Sequence, residues 1–175
     1  MYSQEFRRRQ LIENFKFLDT CERMGWKELG DKTKSIMLSQ EAKHPGKSMA
    51  FVGINPPVGQ YSLKELFDFC VSNYPYSGFT CCVEQHTTSG IRPHLHILHP
   101  VPDNARKNHL ITRLARVFKI PPEAVQVSVS KSSSLSLRWM AYIRGEKKEE
   151  KQDNVKKDIK DREYNNIPHI YNAPP

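Results

Sequence analysis

The chain has 175 residues, with 27 Lys and Arg against 19 Asp and Glu, and a formal net charge of +8. That length bounds it at one ordinary domain with room for an appendage, and is enough to bury a core. No apolar run reaches membrane-spanning length and no apolar stretch follows MYSQEFRRRQ, so neither a transmembrane helix nor a cleaved signal peptide is expected. Cys21, Cys70, Cys81 and Cys82 show no CxxC spacing. A disulfide scaffold or zinc knuckle is therefore not expected, and an intracellular, reducing compartment is. Residues 43–143 hold 11 basic and 5 acidic residues, a net of +6, while the charged ends are nearly balanced. A basic middle attracts a polyanion, of which a phosphate backbone is the commonest. Generic solubility charge is the competing reading.

The first element is a helix over 3–24, with Phe6, Leu11, Phe15, Leu18 and Met24 near the helical period. Gly25 and Gly30 punctuate it, a second short helix follows Asp31, and His44-Pro45-Gly46 ends the segment. Residues 1–45 thus read as an N-terminal helical extension. MAFVGIN at 49–55, closed by Pro56-Pro57, suits a buried strand. Ser62 with Glu65 three residues on is a capping box and predicts a helix over 62–73. GFTCCVEQ at 78–85 and RPHLHILH at 92–99 flank a Thr/Ser/Gly turn and predict a hairpin. After Pro100 and Pro102, the residues Leu110, Ile111, Leu114, Val117 and Phe118 trace the apolar face of another helix, which Pro121-Pro122 closes. VQVSVS at 125–130 alternates as a half-buried strand does, and a helix over about 134–146 follows. Residues 149–175 read as a charged solvated helix or linker and an irregular tail. The order β-α-β-β-α-β-α from residue 49 predicts an α+β fold, an antiparallel sheet built from split βαβ units with flanking helices.

Chemistry concentrates in His94-Leu95-His96. In a strand, residues i and i+2 share a face, so both imidazoles project together while Leu95 and Ile97 face the core. The pair can occupy adjacent positions around one metal ion, or be two polar residues on a half-exposed strand. The hairpin returns Glu84 to their neighbourhood. Two nitrogens and a carboxylate oxygen leave positions open on Mg²⁺ or Mn²⁺ acting as a Lewis acid. His86 competes for the same role, and His99 is out of phase and reads as structural. Among seven tyrosines, Tyr142 lies in the helix after the pair. A tyrosine in an amphipathic helix is more often core than catalytic. Its basic neighbours Arg138, Arg144, Lys147 and Lys148 point the other way, because cations hold phosphate and favour a phenolate.

Together these residues resemble the HUH endonucleases. His94-Leu95-His96 matches their His-hydrophobic-His motif, FVGINPP at 51–57 resembles the first motif of viral replication initiators, Glu84 matches the acidic ligand on the adjacent strand, and Tyr142 matches the catalytic tyrosine. The motifs stand in the family's order across residues 49–148, and residues 46–148 are taken as the endonuclease domain. The nearest likeness is to the replication initiators (Rep) of small circular single-stranded DNA viruses and related rolling-circle plasmids. One position departs: those proteins carry YxxK, and here the lysine's place is Gly145. Lys147 or Lys148, brought back by an irregular helix end at Gly145, takes the supporting role. Residues 1–45 lie outside the family core.

The resemblance implies metal-dependent, sequence-specific nicking and joining of single-stranded DNA at a replication origin, through a 5′-phosphotyrosine on Tyr142. It implies Mn²⁺ or Mg²⁺ at Glu84, His94 and His96, and DNA contacts from Arg92, Arg106, Lys107, Arg113, Arg116, Lys131, Arg138 and Arg144. A stem-loop origin, a C-terminal helicase domain outside this chain, and the host nucleus when the virus is eukaryotic are further expectations. A single-tyrosine HUH transposase and a non-enzymatic DNA-binding module compete. Relaxases place tyrosine ahead of the pair, where Tyr2 has no suitable helix. A histidine-triad hydrolase needs a third histidine where Leu98 stands, and Gly46-Lys47-Ser48 lacks the earlier glycine of a Walker motif.

Overall fold

The computed structural model describes residues 4–43 and 48–175; the predicted break at His44-Pro45-Gly46 lies outside them. The chain divides into two compact units, Met1–Gly46 and Lys47–Pro175.

The first unit packs α1 (Gln4–Arg23) against α2 (Lys27–Lys43). Gly25 adopts φ +71°, the left-handed conformation that ends a helix at little steric cost. Its neighbour Trp26 donates its N–H to the Cys21 carbonyl at 2.8 Å. Gly30 does not interrupt α2, contrary to the sequence expectation. It is buried within the helix, and a Cβ there would lie 3.5 Å from the Cβ of Cys21. The second helix therefore starts before Asp31.

The second unit is an α+β fold around a five-stranded antiparallel sheet. Its elements are β1 (Met49–Ile54), α3 (Leu63–Asn73), β2 (Thr80–Thr87), β3 (Gly90–Pro100), α4 (Lys107–Phe118), β4 (Val125–Ser130), α5 (Ser133–Ile143), α6 (Gln152–Tyr164) and β5 (Tyr171–Asn172). The strand order is β4-β1-β3-β2-β5. Each helical crossover skips one strand: α3 joins β1 to β2 across β3, and α4 joins β3 to β4 across β1. That is the split βαβ arrangement the element order predicts. The capping box of α3 forms as read, with the Ser62 N–H donating to Glu65 Oε2 at 2.8 Å and the Glu65 N–H donating to Ser62 Oγ at 3.3 Å.

The strand period sorts the two faces. Ala50, Val52, Ile54, Cys81, Val83, Leu95, Ile97, Val125 and Val127 share one face and form the main core with Leu63, Leu66, Phe67 and Cys70 of α3 and Leu110, Leu114, Ala115 and Phe118 of α4. Phe51, Gly53, Cys82, Glu84, His94, His96 and Leu98 share the other face, against which α5 and α6 pack. The sheet is thus a middle layer between two helical layers.

The C-terminal segment differs from its sequence reading as solvated helix or linker and tail. α6 buries Val155, Asp158 and Arg162, spaced on one helical face. A bulge in β2 between Glu84 and His86 frees two N–H groups, and Asp158 Oδ1 accepts both, from Gln85 at 2.8 Å and His86 at 3.0 Å. Arg162 donates to the Val83 carbonyl at 2.8 Å. The residues after α6 add β5 to the edge of β2, and Tyr171 packs against Phe67 and Phe79. Residues 149–175 therefore belong to the same compact unit as the sheet. Their apolar and partnered residues are sparse among charges, which hides the buried face from a composition reading.

His99 is structural, as its phase in β3 implies. It is fully buried, stacked on Tyr76 at 4.6 Å and edge-on to Tyr74 at 5.5 Å, and its Nδ1–H donates to the Pro100 carbonyl at 3.1 Å. Burial pushes its pKa down to about 4, partly opposed by that hydrogen bond. The folded value lies below the unfolded one of about 6.5, so the stability held by the neutral ring is complete above that pH and is lost as pH falls toward 4. Between pH 8 and pH 4.5 the wild type is expected to lose about 2–3 kcal/mol more than His99→Phe in urea unfolding. Equal losses in the two proteins would assign the acid sensitivity elsewhere.

Candidate active site

The hairpin of β2 and β3 sets the geometry. Its turn is held by Thr87 Oγ1, which donates to the Gly90 carbonyl at 2.8 Å and accepts from the Ser89 N–H at 3.2 Å. The resulting register places Glu84 opposite His94, and Cys82 opposite His96. Oε2 of Glu84 lies 3.4 Å from Nε2 of His94 and 3.4 Å from Nε2 of His96. These separations are in ion-pair range but too long for good hydrogen bonds. Both ring nitrogens of the nearly enclosed His96 have no hydrogen-bond partner among the described residues. His94 is oriented from behind, since its Nδ1–H donates to the Arg92 carbonyl at 2.8 Å. A carbonyl only accepts, so the Nδ1 atom carries a proton, and Nε2 is the ring nitrogen turned toward Glu84.

Electrostatics favour a cation here. Burial alone would raise the Glu84 carboxyl, but the contacts of His94, His96 and Lys147 outweigh it and hold the group well below the usual carboxylate range. Burial lowers the pKa of His96, partly opposed by Glu84. The site therefore contains a fixed anion and a neutral imidazole with a free lone pair. One ligand atom from each of Glu84, His94 and His96 lies within 4.8 Å of the others. An orphaned buried imidazole beside a buried carboxylate is what a metal ion would satisfy, so these residues fit a divalent ion.

His86, the competing ligand, does not join this group. The bulge turns it toward α6, where its Nε2–H donates to Asp161 Oδ2 at 2.6 Å. It forms a separate cluster with Asp158 and Asp161.

Tyr142 reaches the site from α5. Ser132 caps that helix by accepting from the Leu135 N–H at 3.3 Å, and Met140 and Ile143 are buried. Trp139 and Tyr142, at i and i+3, both meet Phe51 of β1: Trp139 stacks on it at 5.6 Å and Tyr142 stands edge-on at 6.1 Å. Phe51 also stacks on His96 at 5.9 Å. The Tyr142 ring lies perpendicular to His96 with centroids 5.0 Å apart. Phe51, backed by Trp139, thus sits against both His96 and Tyr142, a role the sequence reading missed. Phe51 alternates into the same face as His96, which is the signal that could have revealed it.

The departure from YxxK has a structural reason. α5 ends in a Schellman motif: the Gly145 N–H donates to the Tyr142 carbonyl and the Glu146 N–H to the Ala141 carbonyl, each at 3.0 Å, with Gly145 at φ +90°. A Cβ at Gly145 would lie 2.9 Å from Cγ1 of Val155, so glycine also permits the approach of α6. The chain reverses there, and Gln152 Nε2–H donates to the Lys147 carbonyl at 2.7 Å. The Lys147 ammonium donates to Glu84 Oε2 and lies 4.5 Å from the Tyr142 ring centroid. Of the two lysines, Lys147 is in the site, and Lys148 is exposed.

The expected DNA contacts divide. Arg106, Lys107, Arg113 and Arg116 belong to the α4 region, whose apolar face covers the side of the sheet opposite His94 and His96. Arg113 lies over the Tyr76 ring at 4.9 Å. Lys131 is exposed and paired with Asp103 at 3.4 Å. Arg92 is exposed two residues before His94, and Arg138 and Arg144 flank Tyr142 in sequence on and after α5. The basic surplus therefore does not form one face around the His pair, because the crossover carries α4 to the other layer. No family model, no curated protein and no solved structure matches this chain.

Proposed function

We propose that this chain is a metal-dependent HUH-type endonuclease that nicks and rejoins single-stranded DNA to start rolling-circle replication. The observation that carries the reading is Tyr142 set edge-on against His96, within a cluster that also gathers Glu84, His94 and Lys147. Glu84, His94 and His96 would hold Mn²⁺ or Mg²⁺, which when bound supplies Lewis-acid polarisation of the scissile phosphate. The Tyr142 phenolic oxygen attacks phosphorus and gives up its proton to solvent, which returns one to the departing 3′ oxygen. The bond from phosphorus to the 3′ oxygen breaks, and that oxygen leaves as a 3′ hydroxyl. The product is a 5′-phosphotyrosine, and reversal rejoins the strand without ATP because the ester bond is conserved. The Lys147 ammonium lies where it can stabilise negative charge developing near Tyr142. Arg92, Arg138 and Arg144, near His94 and Tyr142 in the sequence, would hold flanking phosphates on this reading. The same reading makes a replication-origin stem-loop the substrate, a helicase domain its companion in a longer protein, and the host nucleus its site of action in a eukaryotic virus. No helix among the described residues is long and apolar enough to cross a membrane.

The test is a denaturing gel of the protein with labelled single-stranded libraries in Mn²⁺ or EDTA. A covalent adduct that forms only with Mn²⁺ is expected. Binding without cleavage or adduct in either condition would make the chain a non-enzymatic DNA-binding module.

A further inference from the structure

Lys147 and a divalent ion would compete for one atom. The Lys147 ammonium sits on Oε2 of Glu84, and that same oxygen faces Nε2 of both His94 and His96. Both partners are enclosed, with 7% of the Lys147 side chain and 3% of the Glu84 side chain accessible. Water therefore compensates neither charge, and each needs the other while no other ion is present. An ion coordinated by Oε2 would bring a double positive charge against the ammonium, in a setting that screens it poorly.

We propose that Lys147 is a built-in counter-cation of Glu84 that metal entry must displace, so that this lysine sets the affinity of the centre. The inference rests on the metal reading of Glu84, His94 and His96. The backbone around Lys147 stays anchored during the exchange, by its N–H to the Gly145 carbonyl at 2.8 Å and by Gln152 at its own carbonyl. Only the side chain has to move. Released from Glu84, the ammonium remains beside the Tyr142 ring it already faces. The ammonium would thereby lose its carboxylate partner and keep the tyrosine ring as its remaining one. In the metal-free protein the same lysine keeps the Glu84 carboxylate from being a buried, unpaired charge, so the centre can be folded before it is loaded.

Mn²⁺ binding to metal-free protein, read from the loss of the free-ion electron paramagnetic resonance signal, tests this without DNA or catalysis. Lys147→Met is expected to bind Mn²⁺ about ten-fold or more tightly than wild type. Lys157→Met, which removes an exposed charge on α6, should match wild type. Equal or weaker binding by Lys147→Met overturns the inference while leaving the metal centre intact. Absence of binding in every protein removes the metal reading and the inference together. Should Lys147→Met fail to fold in EDTA, wild type alone supplies the answer through amine acylation followed by mass spectrometry. Labelling of Lys147 should rise several-fold when Mg²⁺ replaces EDTA, with Lys157 unchanged, and unchanged labelling of Lys147 overturns the proposal. Nicking is assayed separately, so loss of the nuclease reading is distinguishable from loss of the exchange.

Discussion

Tyr142→Phe is expected to abolish the covalent protein–DNA adduct and to lower cleavage by at least about 10³-fold, while single-stranded DNA binding is retained. The substitution removes one oxygen and keeps the ring. The edge-on contacts to His96 and Phe51 and the approach of Lys147 depend on that ring, so the site should hold its shape. Loss of the adduct would then report loss of a nucleophile rather than loss of the fold. An adduct that survives would relocate the nucleophile. Tyr164 would be examined next, because it is 88% exposed at the end of α6. The measurement is the Mn²⁺-dependent denaturing gel, paired with a fluorescence anisotropy titration that follows binding alone.

Removal of the candidate metal ligands should have the second-largest effect, and the two obvious variants differ in what they report. His96→Ala is expected to lower metal-dependent cleavage by about 10²–10³-fold and to weaken Mn²⁺ binding. It leaves the Glu84–Lys147 pair in place, so most of the loss should concern metal rather than folding. Glu84→Gln removes an anionic ligand and strands the Lys147 ammonium in an enclosed site. Breaking one side of a buried ion pair costs about 3–5 kcal/mol, so this variant should also be markedly less stable in EDTA. Adding Lys147→Met to Glu84→Gln should recover part of that stability, since no buried charge is then left alone. Urea unfolding of the two single variants and the double variant measures the coupling. Strict additivity would mean that the pair contributes nothing as a pair. Unchanged metal-dependent cleavage in His96→Ala would place the metal, and with it the active site, elsewhere.

The shared face of the two site histidines was legible because strand periodicity is local. Once PHLHILH is read as a strand, His94 and His96 must share a face and Leu95 and Ile97 must take the other. The hairpin that returns Glu84 was legible from the turn residues, and the α3 capping box from Ser62 and Glu65. The bulge between Glu84 and His86 was not, since one extra residue in a ladder leaves no reliable local signature. That bulge separates Glu84, which faces the pair, from His86, which faces Asp161. The docking of α6 was hidden for a related reason. Asp158 and Arg162 look like solvated charges until the sheet offers Asp158 two bulge N–H groups and Arg162 a strand carbonyl.

Sequence by itself determined the element order from β1 to α5, the split βαβ pattern, and the shared face of His94 and His96. Each follows from hydrophobic period, capping and turn chemistry within a few residues. Only the tertiary structure decided which cation meets Tyr142 and where the basic middle segment lies. Lys147 is chosen over Lys148 because a left-handed Gly145 reverses the chain against Val155 and aims one side chain at Glu84. Arg106, Lys107, Arg113 and Arg116 are carried to the opposite layer because α4 crosses on the core side of the sheet. Both outcomes depend on contacts between residues far apart in the chain, and neither charge count nor spacing along the sequence contains that information.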